Sequence, residues 1–221
     1  KKVVSPVMVN KEKTTFYHID FSFDDLRLGG SAFAQSLNKV GSDVPTCKNP
    51  EYFRDAFNAV QTLVNKGLVL AGHDISAGGL ITTLLEMCFA NMEGGMEISL
   101  DKFGHHDIVK ILLAENPGVV VQIADKHKAE FKKIMDDAGV GYLKLGHPTD
   151  ERLIQVTKDG AEYQFGIDYL RDVWYSTSYL LDRKQSMNGR AKARFENYKM
   201  QPLEMVFNKD FTGKLAQYGL N

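Results

Sequence analysis

Residues 68–90 read LVLAGHDISAGGLITTLLEMCFA, and this stretch decides the fold. Residues 68–71 are a short apolar run that predicts a strand. Residues 80–90 are apolar almost all round, which predicts a buried helix. Between them lies a glycine-rich polar turn, Gly72-His73-Asp74-Ile75-Ser76-Ala77-Gly78-Gly79. A strand that feeds such a turn and then a helix builds an anion site. The first helical N–H groups lack intrahelical partners, and the helix dipole is positive there. Gly78 and Gly79 carry no Cβ, so a phosphate can approach the backbone. Ser76 offers a hydroxyl to a phosphate oxygen, and Asp74 offers a hard oxygen to Mg²⁺. A plainer reading uses the same residues: Asp74 or Ser76 caps the helix and the glycines make the turn. Local chemistry alone favours the plainer reading, because short glycine motifs match by chance. The turn is neither a Walker loop nor GxGxxG.

Upstream, Asn49-Pro50-Glu51 signals a helix start, with a cap, a proline at the first position and an acid in the first turn. Phe53, Ala56, Phe57, Val60, Leu63 and Val64 recur at helical spacing and are read as core. Gly67 supplies the stop. Further back, residues 14–21 (TTFYHIDF) read as a strand. Leu28-Gly29-Gly30-Ser31 turns into a short helix over 32–39. Residues 3–9, broken by Pro6, are an edge strand or an entry segment.

Downstream, residues 95–100 alternate and predict a strand, and 108–113 predict a short helix. His105 and His106 have no partners at metal spacing and read as a solvated loop. Glu115-Asn116-Pro117-Gly118 leads into a buried strand over 119–123, and its carboxylate and amide either face a ligand or simply make a turn. Asp125 is expected to cap a helix over 126–138, with Phe131, Ile134 and Met135 inward and Gly139 ending it. Strands are expected over 142–145 and 152–157. Asp159-Gly160 predicts a hairpin into a strand over 162–167. From Asp168 the pattern becomes a long amphipathic helix marked by Tyr169, Leu170, Val173, Trp174, Thr177, Leu180 and Leu181. A polar, basic stretch and an aperiodic tail from Pro202 follow. These readings predict an α+β layered sandwich over 1–167, a mixed sheet with packed helices, then a helical extension over 168–221.

The 221 residues carry a formal net charge of -1, so no strong field draws the chain to nucleic acid or an anionic membrane. No apolar run reaches membrane-spanning length. Cys47 and Cys88 form neither a metal spacing nor a disulfide framework, and the cytoplasm is the expected compartment. The chain opens without Met and closes without structural punctuation, which reads as a fragment of a longer protein.

Strand, HDISAGGL turn and LLEMCFAN helix together resemble the C-terminal lobe of the AIR-synthase-like superfamily. The resemblance is nearest to the family of large single-chain phosphoribosylformylglycinamidine (FGAM) synthases, whose second such lobe has HDxSDGGL followed by LxEMAFAG. LGGSAFAQ, LLAENPGVVVQI and LRDVWYSTSYLLDR are similar to further motifs of that family, in the same order. Ala77 departs from it, standing where the family often has Asp. The resemblance implies an ATP- and glutamine-dependent ligase of purine biosynthesis, of which this chain is one lobe, inactive alone. It implies that Asp74 serves Mg²⁺ and that Ser76, Gly78 and Gly79 serve ATP or ADP at an auxiliary nucleotide site. Glu115 and Asn116 stand where the first lobe of such enzymes has substrate-binding residues. The implied partners are a preceding nucleotide-binding lobe and a glutaminase domain. No catalytic residue is assigned within the chain. The rival readings are another ATP-using member of the superfamily, such as an aminoimidazole ribonucleotide synthase, and a non-catalytic interaction module docking through 168–184.

Overall fold

The computed structural model describes residues 3–10, 13–200, 210, 212–214, 216 and 219. Seven strands form one sheet: β1 (Thr14–Asp20), β2 (Val69–Asp74), β3 (Gly95–Ser99), β4 (Gly118–Ala124), β5 (Tyr142–Thr149), β6 (Leu153–Lys158) and β7 (Ala161–Gly166). The helices are α1 (Ala32–Ser36), α2 (Pro50–Lys66), α3 (Gly79–Phe89), α4 (Ile108–Leu113), α5 (Lys128–Asp137), α6 (Ile167–Gln185) and α7 (Arg190–Glu196). The strand order is β2-β4-β1-β5-β3-β6-β7. Every pairing is antiparallel except β3 with β6, so the sheet is mixed. The Asp159-Gly160 hairpin forms, with both residues at positive φ, 50° and 79°.

Two apolar layers flank the sheet. On one face Phe16, Ala71, Met96, Ile98, Val120, Leu145, Ile154 and Val156 meet α3, α4 and Ile167 at the start of α6. On the other, Tyr17, Ile19, Val121 and Ile123 meet α2 and α5. The alternation of neighbours such as Phe16 and Tyr17 between layers is the period-2 pleat of a strand covered on both faces. The α+β sandwich expected from the sequence is therefore present.

α2 forms as its start signal requires. The Asn49 side chain accepts hydrogen bonds from the N–H groups of Glu51 and Tyr52, and Gly67 closes the helix in the left-handed conformation. The stripe read as core is core only in part. Ala56, Ala59 and Leu63 face the sheet, while Phe53 and Phe57 are 36% and 48% exposed. Small alanines let the helix sit close, which turns the phenylalanines to the flank, where Phe53 meets Phe21 edge-on. Nor does Asp125 cap a helix. A short 3₁₀ turn intervenes before α5, and its carboxylate accepts from Thr15 Oγ1 (3.0 Å) and pairs with Lys128 (2.9 Å) instead.

Residues 3–9 are an entry segment, not a strand. Gly72 donates to the Ser5 carbonyl (3.0 Å) and Met8 to the Met87 carbonyl (2.9 Å). Gln122, wholly buried on β4, takes both backbone polar groups of Val9: its Oε1 accepts from Val9 N–H (2.8 Å) and its Nε2 donates to the Val9 carbonyl (2.7 Å). The same Nε2 donates to Thr14 Oγ1 at 2.8 Å, so the amide is satisfied inside the apolar layer.

One compact unit ends at Trp174, inside α6, and a second begins at Tyr175. In the second, Tyr179 stacks on Phe195 (4.5 Å) and Asp182 pairs with Arg194 (2.6 Å), closing the later turns of α6 onto α7. The aperiodic reading from Pro202 falls almost wholly outside the described residues.

Candidate functional site

The site is assembled at one end of the sheet, where β2 and β1 finish and β4 begins. β2 runs three residues further than the apolar run predicts, because its ladder with β4 continues through Gly72↔Val121, His73↔Val120 and Asp74↔Val119. Gly72, His73 and Asp74 are therefore strand residues, and the turn shrinks to Ile75–Gly78. Ile75 is buried, and its N–H donates to the Gly118 carbonyl (2.8 Å), tying the turn to the mouth of β4.

Neither Asp74 nor Ser76 caps α3. Gly78 is the cap residue, at φ 89°, with no side-chain bond. The Asp74 side chain is 72% exposed, and its carboxylate lies 3.4 Å from His73 Nδ1. Ser76 is exposed, and only its backbone carbonyl is used, accepting from Gly79 N–H at 3.0 Å. Both polar groups named from the sequence thus stand in the open at the entrance to α3.

The two glycines do different work. Gly78 supplies the positive φ of the turn. Gly79 is buried, and a Cβ there would lie 2.7 Å from the Leu112 carbonyl oxygen and 2.8 Å from Leu113. The missing side chain of Gly79 admits the backbone at the end of α4.

Glu115 occupies part of the expected anion position. Its Oε1 accepts from Gly78 N–H and from Ala32 N–H, both at 2.8 Å. One carboxylate oxygen thereby joins the two glycine turns, the negative charge sitting at the entrances of α3 and α1. Asn116 is a brace. Its Oδ1 accepts from Arg27 N–H (3.2 Å), and its Nδ2 donates to the Asp25 carbonyl (3.0 Å) and Ser22 Oγ (3.3 Å). The braced loop also holds itself. Asp20 accepts from Ser22 and Phe23 N–H, and Asp24 pairs with Arg27, whose hydrogen bond holds the Asp24 carboxyl below its usual range.

Two clefts open at this end. One, about 360 Å³, lies beside Asp74 and is walled by Val60, Val64, Val69, Gly72, Val119 and Val121. The other, about 380 Å³, is bounded by Asp20, Asp24, Tyr52, Phe103 and Tyr142, with His18 in its wall. Burial pushes His18 down to about 4, so the ring is neutral at physiological pH.

The sequence left His73 and Glu86 without roles. Glu86 lies on α3 with its Oε2 3.3 Å from His73 Nε2. An acid inside the otherwise apolar run LLEMCFA was the available signal, since such a position demands polar partners. Among the described residues no three His, Cys, Asp or Glu side chains converge as a metal cluster. Asp74 by itself suits Mg²⁺, which commonly takes one or two carboxylates and fills its shell with phosphates and water.

The profile of the AIR synthase related protein, C-terminal domain, matches residues 22–159. The chain belongs to this family. As a member of the AIR synthase related C-terminal domain family, it is 36% identical over 164 residues to the human phosphoribosylformylglycinamidine synthase, covering 72% of this chain and 12% of that protein. It is 32% identical over 203 residues to a probable chloroplastic or mitochondrial phosphoribosylformylglycinamidine synthase of Arabidopsis thaliana, covering 91% and 14%. The chain therefore spans about one seventh or less of these relatives. Among solved structures, T. maritima PurL complexed with ATP superimposes with a TM-score of 0.59 at 15% identity, over 77% of this chain and 27% of that one. PurL complexed with FGAR gives 0.60 at 16%, over 76% and 29%. These likenesses show the shared fold. Among the described residues no helix is long and apolar enough to cross a membrane.

Proposed function

We propose that this chain is one lobe of an FGAM synthase and that it contributes Asp74 and Ser76 to a Mg²⁺-nucleotide site shared with a preceding lobe. The observation that carries this reading is the pair of exposed side chains at the entrance of α3, in a chain whose relatives of 32–36% identity are named for that enzyme. In the proposed reaction formylglycinamide ribonucleotide, ATP, glutamine and water give FGAM, ADP, phosphate and glutamate. Phosphorylation of the amide oxygen makes it a leaving group, and ammonia from glutamine displaces it.

In this reading the lobe binds and orients. Ser76 Oγ donates to a phosphate oxygen. Asp74 is the carboxylate that would hold Mg²⁺, which supplies charge neutralisation to the phosphates when bound. Glu115 fixes the turn from behind, and because its charge already faces Gly78 N–H, phosphate contacts fall to Ser76 and the metal. The glutaminase nucleophile and the first nucleotide lobe lie elsewhere in the parent enzyme, where the segment after Asp168 leads toward the next domain. A cytoplasmic location belongs to the same proposal.

The test is nucleotide retention by the lobe joined to its predecessor. Asp74→Ala is expected to weaken Mg-ADP or Mg-ATP binding by at least about tenfold, and Ser76→Ala to weaken it less. Unchanged binding in Asp74→Ala overturns the metal role. The 221-residue chain alone is expected to form no FGAM from ammonia.

A further inference from the structure

Asp74 is the exposed end of a chain of contacts that reaches α6. Its backbone carbonyl is held twice, by Thr83 Oγ1 donating at 3.0 Å and by His73 Nδ1 at 2.8 Å. The other nitrogen of His73 lies 3.3 Å from Glu86 Oε2. Whichever ring nitrogen carries hydrogen therefore faces an oxygen, and the ring cannot rotate without losing a contact. The second oxygen of Glu86 accepts from Trp174 Nε1–H at 3.1 Å. Trp174 also packs on Phe89 of α3, ring centroids 5.4 Å apart. The first turn of α6 is anchored independently: Arg152 pairs with Asp168 at 3.0 Å and donates to the Cys88 and Gly94 carbonyls.

Glu86 is the pivot. It sits on a helix otherwise buried in the core, with its side chain only 25% exposed. A carboxylate in that setting keeps its partners, because an unpaired charge there is costly. His73 is likewise largely covered, at 18% side-chain exposure, whereas Asp74 is open. Two well-packed polar groups thus connect an exposed acid to an indole on a different helix.

We propose that His73 and Glu86 are positioning residues for Asp74, and that Trp174 senses the site, so that a change at Asp74 is felt in the first turns of α6. This inference rests on the nucleotide reading of Asp74 given above. Outer partners of a metal-binding carboxylate fix its direction, and their loss lowers metal affinity about tenfold to a hundredfold. The same contacts, two hydrogen bonds and a 3.3 Å approach of His73 Nε2 to Glu86, link Trp174 to the turn.

The chain contains one tryptophan, so its ¹H–¹⁵N spectrum has a single indole resonance. In the 221-residue chain, Glu86→Gln and His73→Asn are expected to move that resonance, although His73 does not touch Trp174. Asp74→Asn is expected to move it as well, and Asp136→Asn, on α5, to leave it in place. In the parent enzyme, Glu86→Ala is expected to weaken Mg-ADP binding about tenfold, and Glu86→Gln, which keeps an acceptor for the indole and a polar partner for His73, to restore most of it. An indole resonance unmoved by His73→Asn in a folded chain overturns the line to Trp174. Mg-ADP affinity unmoved by Glu86→Ala, while Asp74→Ala abolishes it, overturns the positioning role. If Asp74→Ala itself has no effect, the nucleotide reading fails, and the indole shifts still decide whether the connection exists.

Discussion

Glu115 uses one oxygen to accept from backbone N–H groups of two separate helix entrances. Glu115→Ala leaves both donors without that partner and is expected to cost about 1–3 kcal/mol, read as a lower melting temperature. Glu115→Gln keeps an acceptor oxygen and should lose less. His18 sets a pH dependence. Its folded value is depressed from 6.5 to about 4, chiefly by burial. Between those values the unfolded chain binds a proton that the folded ring refuses. The stability tied to neutral His18 is therefore complete above pH 6.5 and drains away as pH falls toward 4, by up to roughly 3 kcal/mol. Denaturant unfolding from pH 4 to 7 should show that slope, and His18→Leu should flatten it. Cys88, its thiol pushed up to about 12 by burial, should resist alkylation at neutral pH until the chain is unfolded.

α3 carries the strongest link between sequence and architecture. Its apolar circumference required a helix covered on several sides, and Leu84 and Met87 are wholly buried beside α4 and the sheet. Leu84→Ala is expected to cost about 2–5 kcal/mol in chemical denaturation. Gly79→Ala should also destabilise, by about 1–3 kcal/mol, since the added methyl meets the end of α4 and φ is 72°. Bounds were legible at α2 and α4, whereas the cap signal at Asp125 misplaced the start of α5 and the helix read over 32–39 ends at Ser36. Asn49-Pro50 and Gly67 delimit α2, and 108–113 is α4 as predicted. They were not legible where a distant partner decided. Gly72-His73-Asp74 has little strand preference of its own, and only the ladder with β4 makes it strand. The rotation of α2 that exposes Phe53 and Phe57 escaped the 3.6-residue period for the same reason. That period marks a stripe broad enough to contain both the buried alanines and the flanking aromatics, and the depth of contact with the sheet chooses between them.

At the scale of the molecule, strand order was invisible in the sequence, because β1 lies between β4 and β5, whose residues come a hundred positions later. Such pairings cannot be inferred from local pattern. The candidate acid and hydroxyl were legible, since a turn motif names them. The connection through Glu86 to Trp174 was not, because it joins residues 88 positions apart. The layout predicts how native hydrogen exchange will be distributed. Amides of β1 and β4, central and covered on both faces, should exchange slowest, and those of β7, an edge strand whose first four residues are exposed, much faster. Equal protection of β7 and β1 would contradict this layout. The buried amide of Gln122 has a last consequence. It mimics the rung of a missing strand, offering Val9 the donor and acceptor that a neighbouring backbone would have provided. Gln122 is one of several pins on the leading segment, which Gly72 also holds at Ser5 and Met87 at Met8, so Gln122→Leu should speed proteolytic cleavage near Val9 while the seven strands behind it stay closed.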